Sequence, residues 1–325
     1  MDDINMKILQ QGFGVRLISS YRTRTGLVCR TDRGLLELKR TFSDDIGLET
    51  EAALKEYLVS RGFDGLDKAY RTTDGMPCFR TEDAAYILIK YVPSERLEAE
   101  NTDDLSVMAD TLARFHNAAE GFEAEGLRRA AGSPEDVFSK RAAEFTRIRK
   151  RIKTFGDYTK VDLLVIKYYD YYMERIKEAE ELLKNAGLPE AAAETDERKL
   201  ICHNAFKNDN VRKSADGRVI VSGLDGCTRD MSAGDLAHLI RRYIKNPAAS
   251  QDGVRTVLES YSAKRPLSEA ELGIIRGMLI FPYKFLKLCN EHYNKRRVCI
   301  SEAAVERFEN CVSSGDREVR LAGGV

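Results

Sequence analysis

Ile201-Cys202-His203-Asn204-Ala205-Phe206-Lys207-Asn208-Asp209-Asn210, with Val221-Ser222-Gly223-Leu224-Asp225-Gly226 after it, is the stretch on which the reading of the fold turns. Residues 199–203 and 218–223 read as short strands flanking the turn Ala215-Asp216-Gly217, since apolar runs bounded by Asp and Gly mark strand ends. The loop between them carries a histidine, three asparagines and an aspartate, residue types that hold ions and move protons.

The surroundings of this insert are helical. Residues 103–119 carry Leu105, Met108, Ala109, Leu112, Phe115 and His116 at helical spacing. Ser133-Pro134 offers an N-cap with proline at the first helical position, opening a helix to about residue 154. A longer helix spans 160–185 and stops at Gly187-Leu188-Pro189; its tyrosines 168, 169, 171 and 172 read as core and partner-helix packing. Residues 190–197 read as an Ala/Glu-rich loop, helices continue to about residue 313, and the last residues read as frayed.

Upstream of Pro93 the pattern is that of sheet. Residues 14–20, 26–31 and 35–39 are short β-rich runs, with Asp32-Arg33-Gly34 as a hairpin turn because glycine tolerates the positive φ required there. Residues 46–61 form the one helix, with Leu48, Ala52, Leu54, Leu58 and Val59 on one face and Gly62 as its stop. Residues 85–92 are nearly all apolar, as for a strand covered on both faces. The expected fold is α+β. Residues 1–92 form a β-rich lobe with one helix and 93–325 a larger helical lobe, hinged at 91–93, with a ligand cleft between them.

Composition narrows the function. The chain has 325 residues, 43% of them apolar and 32% charged, as in soluble globular proteins. Its 52 basic and 52 acidic residues cancel, which argues against nucleic acid or an anionic membrane as partner. No apolar run approaches a membrane span, residues 273–281 being interrupted by Arg276, and the polar, acidic start does not read as a secretory signal. The seven cysteines (29, 78, 202, 227, 289, 299 and 311) include no C-x-x-C pair, and the four histidines lack metal-ligand spacing. Reduced, mostly buried intracellular thiols are expected.

Lys39 near a strand end, Glu51 in the following helix, the 201–210 loop and the 221–226 hairpin follow the order of a kinase site: phosphate-gripping lysine, helix glutamate, catalytic loop and metal aspartate. On these segments the chain resembles the CotS-type spore coat proteins, a branch of the protein-kinase-like fold related to aminoglycoside and choline phosphotransferases. The resemblance runs from about residue 27 to 300. It includes Leu112-Ala113-Arg114-Phe115-His116-Asn117, Arg265-Pro266-Leu267-Ser268, Phe281-Pro282-Tyr283-Lys284-Phe285-Leu286, Tyr293-Asn294 and the downstream Asp235-Leu236. It implies a bilobal kinase-like fold, synthesis in the mother-cell cytoplasm, deposition on the spore coat, and other coat proteins as partners. It also implies a nucleotide position at Lys39, Glu51, Lys90, Val92, Arg22 and Arg24, and a weak Mg site at Asn210 and Asp225.

Three departures from the family pattern set the expectation for activity. Ala205 stands where the proton-accepting aspartate belongs, and a positioned base is worth roughly 10²–10⁴-fold in rate. Gly223 stands at the main magnesium carboxylate, leaving Asn210 and Asp225. The phosphate-covering turn 19–26 holds one glycine, with Tyr21 and Arg22 side chains in the way of a backbone–phosphate approach. The chain is therefore expected to be a catalytically inactive kinase-like protein working through protein contacts. Two alternatives stay open: an ATP-dependent phosphotransferase with an alcohol or amino-sugar-like acceptor, and a nucleotide sensor without transfer. Lys39–Glu51 is either a nucleotide grip or an inter-element salt bridge, and His203 a loop-bracing residue. Asp209 is a stand-in for the base only under the phosphotransferase alternative, since it projects differently from position 205. Asp225 is a metal ligand or turn cap, and Asp235 a brace for the catalytic loop or the cap of a helix over 236–244. The basic tract Lys284, Lys287, Lys295, Arg296 and Arg297 is a solvated face or a dock for an acidic partner.

Overall fold

The computed structural model describes residues 2–130, 132–154, 156–294 and 302–325, and of residues 2–4 the backbone alone. The chain forms two compact units, neither continuous in sequence: the first takes residues 1–98, 114–129 and 198–229, the second 99–113, 130–197 and 230–325. Lys295, Arg296, Arg297 and Cys299 lie outside the described residues.

The first unit opens with helix α1 (Asp2–Lys7) and a π-helical turn (Ile8–Gly12), which the sequence reading did not anticipate. Strands β1 (Leu17–Arg22), β2 (Leu27–Thr31) and β3 (Gly34–Thr41) follow, then helix α2 (Asp45–Ser60), then β4 (Ala69–Tyr70), β5 (Phe79–Arg80), β6 (Ala85–Lys90) and β7 (Ser94–Arg96). The antiparallel sheet has the order β1-β2-β3-β6-β4, with β5 also on β6. The first strand lies a few residues beyond the expected 14–20, because Val15 is buried with the π-helical turn while residues 18–22 are exposed. Strand alternation then decides what β3 offers. Leu36 and Leu38 point into a core with Ile8, Leu9, Phe13, Val15, Cys29 and Leu88, so Glu37 and Lys39 project from the opposite face.

Helix α2 begins where the side chain of Asp44 accepts a 2.8 Å hydrogen bond from the amide of Gly47. It ends before Gly62, whose φ of +83° suits a left-handed C-terminal residue. The end of α3 (Thr102–Ala119) from residue 114, strand β8 (Arg128–Arg129) and strands β9 (Ile201–Cys202), β10 (Val211–Ser214), β11 (Val219–Val221) and β12 (Thr228–Arg229) complete this unit. They form two small sheets, β11-β10-β7 and β8-β12-β9.

The second unit is helical: the start of α3, then α4 (Pro134–Thr154), α5 (Lys160–Asn185), α6 (Leu188–Arg198), α7 (Ser232–Ile244), α8 (Gln251–Ser262), α9 (Glu269–Ile280), α10 (Tyr283–Asn294) and α11 (Glu302–Ala322). Three expectations are corrected here. Residues 190–197 are helix, because Pro189 sits in the first turn of α6, where a missing amide costs nothing and alanine propagates the helix. Asp235 does not cap a helix starting at Leu236; α7 begins at Ser232 and Asp235 is buried in its first turn. The C-terminus is anchored, with Leu321 and Ala322 buried and Arg276 donating to the carbonyl of Val325 at 2.6 Å.

Of the four tyrosines of α5, Tyr169 and Tyr172 pack in the core, Tyr172 stacking on Phe285 with centroids 3.7 Å apart, whereas Tyr168 is half-buried and Tyr171 is exposed and donates to Asp316 of α11. A capping box at Thr159 starts α5, and its Asp162 also accepts a 2.6 Å bond from the Tyr293 hydroxyl. Cys29, Cys78, Cys202, Cys227, Cys289 and Cys311 are buried thiols, and burial pushes Cys29 and Cys311 up to about 11. No helix among the described residues is long and apolar enough to cross a membrane.

Candidate nucleotide site

A cavity of about 740 Å³ lies within the first unit, between the Glu37/Lys39 face of β3, the α2 start and the 222–227 turn. Of the residues expected at a nucleotide or metal site, Lys39, Glu51, Asn210, Gly223 and Asp225 line it. His203, Ala205, Asp209, Lys90, Val92, Arg22 and Arg24 are not among its lining residues.

The expected Lys39–Glu51 pair does not form among the described residues. Lys39 Nζ lies 3.3 Å from Glu37 Oε2 on its own strand, an i, i+2 neighbour that the pleat holds on the same face. Glu51 instead takes Lys55 Nζ at 2.7 Å, one helical turn on, and Lys55 reaches Asp67 at the same distance. All three side chains are nearly nine-tenths buried. Burial pushes the Glu51 carboxyl up; Lys55 opposes this, while Asp67 and Asp225 add to it. Burial would lower the Lys55 ammonium, but its two carboxylates outweigh that and raise it. The i, i+4 spacing of Glu51 and Lys55 was readable in the sequence; Asp67, far along the chain, was not.

Glu37 is the second residue that the sequence reading missed. Its carboxylate is 5% exposed and accepts 2.5 and 3.4 Å bonds from the Thr25 and Thr23 hydroxyls. Thr23 closes the turn by bonding Gly26, so the β1–β2 turn is tied down onto the strand that carries Lys39. Beside it the Tyr91 phenol is pushed up by burial and then by its hydrogen bond with Tyr21. At the end of β6, Lys90 is exposed and the carbonyl of Val92 accepts from Ser94 at 3.0 Å. Arg22 is exposed on β1, and Arg24 lies 3.9 Å from Asp209.

The catalytic-loop equivalent is braced from within. The fully buried His203 ring accepts from the Ala205 amide at Nδ1 (3.2 Å) and meets the Ser222 carbonyl at Nε2 (3.1 Å), so the Nε2–H tautomer satisfies both. Asn204, at φ +59°, donates to Gly226 and Thr228, which locks the loop against the 222–228 turn. Asn210 donates to the carbonyl of Ala205 at 2.9 Å, an amide use that turns its nitrogen inward. Asp209 is held 3.2 Å from Arg96. Asp225 is exposed, and its backbone carbonyl accepts from Arg128 at 3.0 Å.

Gly223 has φ +80°, and a Cβ there would stand 2.7 Å from Asn210 Nδ2. A carboxylate at this position would have to displace the Asn210 side chain and sit in the left-handed region, which aspartate tolerates better than most residues. Four carboxylates (Asp44, Glu51, Asp67, Asp225) and three cations (Lys39, Arg40, Arg128) line the cavity, a balance that does not by itself favour a polyphosphate. Asn210 and Asp225 both reach the cavity and are of a type that Mg²⁺ accepts. The bond to Ala205 uses the Asn210 amide nitrogen and leaves its Oδ1 able to ligate, so the donors at the expected positions are that oxygen and the Asp225 carboxylate, where a kinase hairpin would add a second acid at 223.

Solved structures share the fold. An aminoglycoside phosphotransferase from Alicyclobacillus acidocaldarius subsp. acidocaldarius DSM 446 superposes with a TM-score of 0.83 over 94% of this chain and 91% of that one, at 15% identity. Spectinomycin phosphotransferase APH(9)-Ia, in complex with ADP and spectinomycin, gives 0.60 over 99% and 97% at 11% identity. Choline kinase LicA from Streptococcus pneumoniae gives 0.53 over 97% and 99% at 14% identity. The protein-kinase-like α+β fold is thereby established. In sequence, 254 residues are 22% identical to spore coat protein S of Bacillus subtilis (strain 168), covering 70% of this chain and 66% of that protein, just under two thirds of its length. The family described as Spore coat putative kinase YutH matches residues 7–323, and the chain belongs to it.

Proposed function

We propose that this protein is a catalytically inactive kinase-like component of the spore coat that acts through contacts with other coat proteins. The observation that carries the reading is the chemistry of positions 205 and 223: the first lacks a proton acceptor, and the second is a left-handed glycine packed against the Asn210 side chain, which brings no carboxylate to the cavity. Loss of the base alone removes roughly 10²–10⁴-fold in rate. Asp209, the candidate substitute, is engaged by Arg96 and stands outside the lining of the cavity. Lys39 is paired with Glu37 of its own strand and not with the helix residue Glu51, so the lysine–glutamate pair of the kinase pattern is not formed among the described residues. The spore setting, with synthesis in the mother-cell cytoplasm, rests on family membership and on the likeness to spore coat protein S.

A second reading, nucleotide binding without transfer, is favoured by one observation: Lys39 and Glu51 face the same 740 Å³ cavity. Thermal unfolding with and without excess ATP, each in magnesium and in EDTA, separates the readings. A ligand at 100 times its Kd adds about 2.7 kcal/mol, a shift easily seen. We expect no shift. A magnesium-independent shift supports the sensor, and a magnesium-dependent shift with ATP turnover overturns inactivity.

A further inference from the structure

We propose that the second unit holds a binding site for a compact multivalent oxyanion, a phosphate or polycarboxylate, in the cavity at the C-terminal end of α9. The cavity measures about 240 Å³ and is lined by Arg175 of α5, Arg241 and Lys245 of α7, Lys284 and Lys287 of α10, and one acid, Glu318 of α11. This is below the roughly 300–1,000 Å³ of pockets that enclose drug-sized ligands, so it suits a phosphate or pyrophosphate group rather than a whole nucleotide.

Helix capping explains part of the cluster. Arg175 donates through Nη2 to the carbonyl of Ile280 at 2.6 Å, and Arg241 through Nη2 to that of Met278. These are carbonyls of the last turn, without intrahelical partners and at the negative end of the helix. Capping engages one Nη2 nitrogen of each arginine. The Nε of Arg175, a residue 8% exposed, is buried and finds no hydrogen-bond partner among the described residues. Nor does capping account for the three lysines, which are exposed at the mouth. Lys245 and Lys284 have no ion pair among the described residues, and Lys287 only a 4.0 Å approach to Glu291.

The electrostatics agree with the geometry. Arg241 is pushed down to about 10, by burial first and with Arg175 adding, against Tyr283 and Glu318. Lys245, exposed but partly desolvated by the cavity wall, is lowered by that desolvation and then by Arg241, with Glu318 opposing and Lys284 and Arg242 adding. Cations that lower one another around a concave space are stabilised by an anion placed among them. Lys284 and Lys287 belong to the basic tract singled out in the sequence, which thus has a concave end. This site is independent of the nucleotide cavity, and its failure leaves the proposed function untouched.

The test is calorimetric titration and thermal unfolding of the full chain with sodium phosphate, pyrophosphate or citrate, against sodium chloride at matched ionic strength. A saturable response to pyrophosphate or phosphate is expected; a response to citrate as well broadens the class to carboxylates. Lys245→Gln/Lys284→Gln, which leaves both helix-capping arginines in place, should weaken binding by about tenfold or more, as the loss of charge-assisted hydrogen bonds implies. Arg241→Gln should abolish it if that variant folds. Lys213→Gln on β10, outside both cavities, should bind as the parent does. The proposal is overturned by no response beyond that to chloride, by affinity unchanged in the double variant, or by binding of polyglutamate without pyrophosphate.

Discussion

Lys55 is the residue whose removal tests the site geometry most directly. Replacing it with methionine keeps the aliphatic stem and deletes the ammonium that lies 2.7 Å from both Glu51 and Asp67. Two carboxylates then share a pocket in which each is about 12–13% exposed, with Asp225 adding negative potential. Removing one partner of a buried ion pair costs about 3–5 kcal/mol, and that is the loss expected at pH 7 in urea unfolding followed by circular dichroism. The pH dependence has a definite sign. Glu51 in the folded chain titrates above 4.5, so its contribution to stability is full below 4.5 and falls as pH rises through the raised folded value. Deleting Lys55 raises that value further, so the deficit relative to the parent should shrink from pH 7 to pH 5 as the carboxyl takes a proton. Adding Glu51→Gln and Asp67→Asn should recover most of the loss. A deficit below about 1 kcal/mol, or one indifferent to pH, would show that the triad is solvated and that the reasoning fails.

Two further substitutions probe the supporting geometry. Gly223→Ala should destabilise by about 1–3 kcal/mol in thermal unfolding, through left-handed strain plus crowding of Asn210. Gly34→Ala, at φ +96° with nothing within 4 Å of the added carbon, should show the backbone part alone, so equal losses would refute the crowding. Tyr293→Phe removes the 2.6 Å bond to Asp162 and should cost about 1.5–3 kcal/mol at neutral pH. Burial pushes Asp162 up, but the bonds from Tyr293 and Thr159 outweigh it and hold the carboxyl below 3.8. Its contribution is therefore present above 3.8 and lost as pH falls through the folded value, so the Phe variant and parent should converge in acid.

Much of this architecture was readable because local rules and tertiary structure agree. The helices expected over 46–61 and 160–185 form within a residue of those bounds, because Asp44, Gly62 and Thr159 act on the backbone within three or four residues. Residues 190–197 depart from the expected loop because proline in a first helical turn is a start as well as a stop. The site was half readable. Motif order identifies Lys39, Glu51, Asn210, Gly223 and Asp225, which line one cavity. Pairing is a different matter, since which carboxylate meets which ammonium is settled by distances of an ångström or two. Glu37 lay two residues from Lys39 and won it by strand alternation, while Lys55 reached Glu51 by helical pitch and Asp67 across the loop. Both partners are local in sequence to one member of the expected pair.

The buried sulfur atoms make the two units separately observable. Cys29, Cys78, Cys202 and Cys227 belong to the first unit and Cys289 and Cys311 to the second, all shielded from reagents while their surroundings stay shut. An alkylating probe followed along a denaturant series and assigned by peptide mass thus reads the exposure of each unit's thiols separately, without any added label. A variant at Lys55 should expose the first unit's thiols earlier in the series and leave those of the second as before.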